Sequence, residues 1–238
     1  MKMIFAAIVA GGTGSRMGAD RPKQFLELAG TPVIIHTIGR FMHHAEVDMV
    51  YVGVHAEWAD ELERMCLDAG FDMKKISILT GGVTRDDTVR RMIDRITQEY
   101  EISDSDIILT HDGVRPFVSD TEISESIKAM QTCDGATLCL PSTDTLLYSE
   151  NGRSIDSVAD RSKLFRALTP QTFLLSSLIS AYKSLTAEQL EKVTDTASVF
   201  TLAGKPVSLI IGSASNIKLT TPEDMRLAEM MIKEKDDG

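Results

Sequence analysis

Gly11, Gly12 and Gly14 follow directly on the apolar run Ile4–Ala10, and Arg16 and Lys23 come next, the lysine inside Pro-Lys-Gln-Phe. Glycines let a backbone come close to a ligand and leave N–H groups facing it, and arginine and lysine meet anions. An arginine and a lysine converging on such a loop suit a triphosphate attacked at its α-phosphorus, because preorganised cations stabilise the charge that grows on the equatorial oxygens. Two familiar phosphate loops do not fit. The spacing G-x-x-x-x-G-K-[ST] is absent, and a dinucleotide fingerprint begun at Gly12 and Gly14 ends on Met17 where it needs glycine. A nicotinamide-dependent dehydrogenase is therefore disfavoured.

The elements that must position this loop read as alternating strands and helices. Strand-like apolar runs fall at Ile4–Ala10, 47–55, Ile76–Thr80, 106–110, 136–140 and 207–211. Between them, Thr31-Pro32 looks like a helix cap with a first-turn proline, ahead of Val33, Ile34, Thr37, Ile38 and Phe41 at helical spacing. Residues 56–69 read as a helix stopped by Gly70, and 84–100 as one with a core stripe of Val89, Met92, Ile93 and Ile96. Thr221-Pro222 followed by acids opens a closing helix. Such alternation predicts right-handed βαβ crossovers and an α/β, three-layer, Rossmann-like fold with a mainly parallel sheet. Ligands bind such sheets beyond the carboxyl ends of the strands. The glycine loop, Thr-His-Asp-Gly-Val-Arg-Pro-Phe at 110–117 and Ser-Asn-Ile-Lys-Leu-Thr-Thr at 215–221 all fall near such ends, and this convergence predicts one site.

A single domain over 1–238 is expected, with one excursion. Residues 141–162 read as two extended halves around Asn151-Gly152, a hairpin signal. A hairpin projecting from an α/β domain is an arm that reaches a partner subunit or covers a site.

Composition narrows the partners. With 25 Lys and Arg against 35 Asp and Glu, the formal charge of −10 argues against a general nucleic-acid binder. A phosphorylated substrate then needs a local basic cluster, helped by a divalent cation. No apolar run approaches the roughly 20 residues of a membrane span. The N-terminal run passes into Gly-Gly-Thr-Gly-Ser-Arg without a cleavage pattern, so it reads as a first strand in a cytoplasmic protein. Cys66, Cys133 and Cys139 lack metal-ligand spacing and read as reduced thiols. His111, beside Asp112, suggests a metal site or acid–base chemistry, but a strand-end histidine is more often packed or hydrogen-bonded, and it is read so here.

The motifs AGGTGSRM…PKQF, GGVTRDDTV, HDGVRPF, ALTPQTF, TDTAS and NIKLTTPEDM occur in that order over essentially the whole chain. Together they resemble the cytidylyltransferase family of 2-C-methyl-D-erythritol 4-phosphate and D-ribitol 5-phosphate enzymes. The resemblance implies transfer of CMP from CTP to a polyol phosphate with Mg²⁺, on a nucleotidyltransferase fold, by a homodimer joined through the arm. It implies that Ala10, Gly11, Gly12, Gly14 and Arg16 cradle the CTP phosphates, that Lys23 sits on those phosphates, and that Lys218 is a second catalytic lysine. It implies a cytosine and ribose pocket of Gly81, Gly82 and Thr88, with Val83 where the methylerythritol members usually carry an acid. By the same resemblance Asp112 is associated with Mg²⁺, a lone carboxylate completed by substrate phosphates being normal for magnesium. Arg115 and, on the arm, Thr145 and Arg161 are implied to hold the polyol phosphate, with Thr169, Thr194 and Asp195 lining the acceptor site.

Because the acceptor's phosphate is itself the nucleophile, no strong general base is needed, which agrees with a motif set rich in Arg, Lys and Gly. HDGVRPF lacks the alanine pair that the methylerythritol enzymes usually show between Asp and Arg. That difference and the segment 184–212 place the chain nearer the ribitol branch, whose product, CDP-ribitol, is a precursor of cell-surface polyol polymers. The methylerythritol branch, which serves isoprenoid synthesis, remains the alternative. A sugar nucleotidyltransferase using UTP or GTP shares only the first motif. A non-catalytic nucleotide-binding module is opposed by the presence of Arg16, Lys23, Asp112 and Lys218 together.

Overall fold

The computed structural model describes residues 2–12 and 21–236; Gly14 and Arg16 lie outside them. The first strand, β1 (Ile4–Ala10), shows how the core is built. Its side chains alternate, so Ile4, Ala6, Ile8 and Ala10 enter one apolar cluster while Phe5 and Ala7 enter another. A strand covered on both faces reads as an unbroken apolar run, which is why it is legible.

After a small antiparallel pair, β2 (Glu27–Leu28) and β3 (Thr31–Pro32), come α1 (Val33–Met42), β4 (Met49–Val54), α2 (Ala59–Asp68), β5 (Ile76–Thr80), α3 (Arg85–Glu99) and β6 (Ile107–Asp112). Next are α4 (Asp120–Ala129), β7 (Gly135–Pro141), the arm strands β8 (Leu147–Tyr148) and β9 (Ser157–Val158), and β10 (Phe165–Leu174). The chain closes with α5 (Leu175–Ser184), α6 (Ala187–Glu191), α7 (Thr196–Leu202), β11 (Ser208–Ile211) and α8 (Pro222–Asp236). The main sheet runs β11-β7-β10-β6-β1-β4-β5. The adjacent pairs outside β10 are parallel, and β10 is antiparallel to both of its neighbours. Helices α1, α2 and α4 cover one face, and α3, α5 and α7 cover the other. This is the three-layer, mainly parallel architecture expected. Helix α8 packs apart from both layers, with Ala228 against Leu28, Val33, Val114, Phe117 and Leu219.

Three local readings need correction. Thr31-Pro32 is not a capping pair; both residues belong to β3, and Pro32 stands at the helix boundary without a side-chain cap. Strand β10 has no counterpart among the sequence-read strands, because Pro170 in its interior argues against a strand. The β7–β10 register shifts between Ala167 and Gln171, and pairing with β6 begins at Gln171, so the proline falls in the interruption. The hairpin exists, but its strands are short and are joined by a loop over 149–156 rather than a two-residue turn. In that loop the Asn151 side-chain oxygen accepts from the N–H groups of Arg153 and Ser154, and Gly152 takes φ +68°.

Candidate active site

Strand β6 delivers two adjacent polar residues to opposite faces of the sheet. His111 turns toward Phe41 of α1, with ring centroids 4.9 Å apart, and Asp112 turns toward Arg85 of α3. His111 is fully buried in a closed set of bonds. Its Nε2 lies 3.1 Å from the Arg115 carbonyl and must carry the hydrogen, so Nδ1, 2.9 Å from Thr169 Oγ1, is the acceptor. Thr169 Oγ1 in turn accepts from the Asp112 backbone N–H. Burial pushes the His111 imidazole down to about 4, against the opposing bond to Arg115. His111 is therefore a neutral strut of the site.

Asp112 is the electrostatic centre. Arg85 Nε lies 3.1 Å from its Oδ1, while Lys218 Nζ at 2.9 Å and Arg115 Nε at 3.4 Å share Oδ2. Burial opposes its charge, but Arg85, Lys218 and Arg115 outweigh that and hold the carboxyl well below the usual carboxylate range. One acid under three cations leaves the centre net positive, which is an anion site.

Two cavities meet at Lys218. The first, about 220 Å³, is lined by Ala10, Gly11, Gly12, Lys23, Gly82 and Thr88 among others, together with Asp112 and Lys218. The second, about 300 Å³, is lined by Arg115, Arg166, Leu168, Asn216 and Lys218. The sequence-read residues Ala10, Gly11, Gly12, Lys23, Gly82, Thr88, Asp112, Lys218 and Arg115 are thus brought to one continuous region.

Local contacts explain how each is held. Gln24, nearly fully buried, donates from Nε2 to the carbonyls of Ala10 and Gly12 and pins the described start of the glycine loop. The turn Lys23–Phe25 is anchored at the start of α2: Phe25 stacks at 4.6 Å on Trp58, the residue before that helix, and Arg21 lies over the same ring and pairs with Glu61. Across the cleft, the Gly81 N–H donates to Val54, that of Gly82 to Thr88 Oγ1, and that of Val83 to Asp87. A Cβ on Gly82 would overlap the Asp87 carboxylate, so this turn admits only glycine as packed. Val83 stands at the rim, 95% exposed. Lys218 is aimed by the loop before it: the Asn216 carbonyl accepts from Arg115, its Nδ2 donates to the Thr169 carbonyl, and Leu219 N–H bonds Val114. Glu122 completes the frame, accepting from Ser213 N–H with Oε1 and from Ser119 with Oε2.

Other sequence-read residues stand elsewhere. Thr145 and Arg161 are exposed on the arm, where Arg161 donates to the Thr143 carbonyl. Asp195 caps α7 and accepts from Gln171, and Thr194 is exposed beside it; neither lines the two cavities. Arg85, Gln24 and Asn216 carry the site's geometry yet were not singled out, although each lies inside a motif that was.

The sequence model of the family described as "IspD: 2-C-methyl-D-erythritol 4-phosphate cytidylyltransferase" matches residues 4–234. Ribitol-5-phosphate cytidylyltransferases of Streptococcus pneumoniae strains are 38% identical over 237 residues, covering 98% of this chain and 100% of theirs. Among solved structures, 4-diphosphocytidyl-2C-methyl-D-erythritol synthase from Anaerococcus prevotii superposes with a TM-score of 0.80 at 26% identity, covering 98% of this chain and 96% of that one. The Francisella tularensis 2-C-methyl-D-erythritol 4-phosphate cytidylyltransferase gives 0.80 at 26%, covering 96% and 99%. With a family match over nearly the full length, joined to this fold and this cluster of cations, the chain belongs to the IspD family of cytidylyltransferases.

Proposed function

We propose that this protein transfers the CMP group of CTP to D-ribitol 5-phosphate, releasing pyrophosphate and forming CDP-ribitol. The observation that carries this reading is the position of Lys218, between the cleft of the glycine loop and the cavity of Arg115 and Arg166. A nucleotide in the first and a phosphomonoester in the second meet at that ammonium. Family membership supports CTP as donor. The 38% identity to the pneumococcal ribitol-5-phosphate enzymes supports ribitol 5-phosphate over 2-C-methyl-D-erythritol 4-phosphate, the acceptor named for structures 26% identical.

In this reading an oxygen of the acceptor's phosphate attacks the α-phosphorus of CTP as the bond from that phosphorus to the β-phosphate oxygen breaks, and pyrophosphate leaves. The nucleophile is already an anion, so the protein supplies position and charge neutralisation. Gly11 and Gly12, with Gly14 and Arg16, hold the triphosphate. Lys23 and Lys218 neutralise charge on the α-phosphate, and Gly81, Gly82 and Thr88 form the wall for base and ribose. Arg115 holds the acceptor with Thr169 behind it. Asp112 suits one ligand of a Mg²⁺ completed by phosphate oxygens and water, since it is ionised and opens on the cleft, and Lys218, 42% exposed, can pass from Oδ2 to a phosphate. Mg²⁺ bound there would neutralise the triphosphate and its leaving group.

A homodimer joined through the arm belongs to the same reading. Leu147, Tyr148, Ile155 and Val158 turn outward from the arm, an apolar surface suited to a second copy whose Arg161 and Thr145 reach the acceptor. A pyrophosphate-release assay with CTP, Mg²⁺ and each polyol phosphate tests the whole. The expected outcome is a higher kcat/KM with ribitol 5-phosphate. A higher value with methylerythritol phosphate reassigns the acceptor, and turnover with neither overturns the reading in favour of a binding module.

A further inference from the structure

We propose that Arg85 is a positioning residue, which fixes the rotation of the Asp112 carboxylate and so holds Oδ2 toward Lys218 and Arg115. This rests on the transfer reading for its kinetic consequences, but its structural content stands on the geometry alone. Arg85 is the first residue of α3, where a cation opposes the helix dipole, whereas the neighbouring Asp86 and Asp87 suit it. Its side chain leaves the helix for the site. Nε donates to Asp112 Oδ1 at 3.1 Å, and Nη1 donates to Thr196 Oγ1, also at 3.1 Å. Nη2 is buried with no hydrogen-bond partner among the described residues. An orphaned buried donor is destabilising, because its bond to water is lost and not replaced. The guanidinium is thus placed against its own hydrogen-bonding preference at both the helix end and the orphaned nitrogen. Such local violations concentrate where a site dictates the geometry.

The division of labour on Asp112 says what is gained. Arg115 and Lys218 both grip Oδ2, and among the described residues Arg85 alone grips Oδ1. Without it the carboxylate is held at one oxygen and can turn about its Cβ–Cγ bond, carrying Lys218 with it. Thr196 supplies the second point that orients the guanidinium, and its Oγ1 lies 3.0 Å from Thr110 Oγ1 on the central strand β6. The rigid centre of the sheet therefore sets the angle of the acid through Thr196, which lines neither cavity, and Arg85, which lines the first cavity beside the acid it orients.

The test uses Arg85→Gln, Arg85→Lys, Thr196→Val and the Gln/Val double variant, with kinetics and a crystal structure of Arg85→Gln. For Arg85→Gln we expect kcat to fall on the order of 10²-fold, with the KM for CTP moving less than about threefold. Arg85→Lys, which keeps the charge and loses the planar fork, should recover less than about a tenth of the loss. Thr196→Val should cost about tenfold, and the double variant should be no slower than Arg85→Gln, because both act on one element. Additive losses, or wild-type kcat in Arg85→Lys, overturn the proposal. So does an Asp112 carboxylate in its wild-type rotation in the crystal structure of Arg85→Gln. That structural outcome decides even where the wild-type protein proves inactive with CTP, a result that would sink only the transfer reading.

Discussion

The cluster on Asp112 and the arm are built by opposite rules. Around Asp112 the side chains that line the site are tied by residues far away in sequence: Arg85 to Thr196, Arg115 to Asn216, Thr169 to His111. On the arm the side-chain bonds are mostly short-range, such as Asn151 to Arg153 and Asp160 to Ser162, and the apolar residues face outward. One region is preorganised by contacts within the chain, and the other is a local structure whose apolar face has no counterpart among the described residues. A site of the first kind stabilises developing charge without rearranging at the moment of reaction. A segment of the second kind is suited to be completed by assembly.

Removing a cation from the first region should give the largest effect. Lys218→Ala and Lys23→Ala should each lower kcat by about 10²–10³-fold, while calorimetry still detects CTP binding. A variant with near wild-type kcat and only a raised KM would make that lysine a binding contact.

The arm sharpens the contrast. Deleting 144–160 should turn a dimer into a monomer in sedimentation and leave the protomer's melting temperature within a few degrees. Arg161→Ala should raise the KM for the polyol phosphate by about tenfold with little change in kcat. An unchanged acceptor KM removes Arg161 from the site, and a dimer that survives the deletion breaks the comparison itself.

The smallest effect lies in pH. His111 sits at about 4, below the roughly 6.5 of an exposed imidazole. Between those values the unfolded chain binds a proton that the folded chain does not. Its contribution is therefore full above about pH 6.5 and is lost as the pH falls toward 4. Urea unfolding across that range should show stability declining with acid, and His111→Gln should flatten the slope. An equal slope in both proteins would place the titration elsewhere.

How much of this was legible follows from what each feature depends on. Strands β1 and β5 were read with their observed ends, because a buried strand writes its burial into consecutive residues. Thr84 and Thr221 were read at the starts of their helices, since an N-cap is a local bond; Asp87 N–H and Asp224 N–H bond their side chains. β10 was missed because its pairing tolerates Pro170 only through a register shift, a property of two strands together. Arg85, Gln24 and Asn216 were passed over for a related reason. Their work is done on Asp112, on the carbonyls of Ala10 and Gly12, and on Thr169, and residue type with spacing does not say which loops meet. The expectations for Gly14 and Arg16 lie outside the described residues.

Glu122 closes the N-terminal turn of α4 with one carboxylate oxygen and holds Ser213 and Asn216 with the other. A single side chain thus links the fraying of a helix to the placement of the segment that ends in Lys218. Free-energy coupling of this kind runs equally in both directions. A ligand that quiets the lysine's segment must also quiet the helix start. In hydrogen exchange, substrate should therefore slow the amides of Glu122 and Ile123, which bond Ser119 and line neither cavity. Helix α4 then serves as a remote reporter of occupancy.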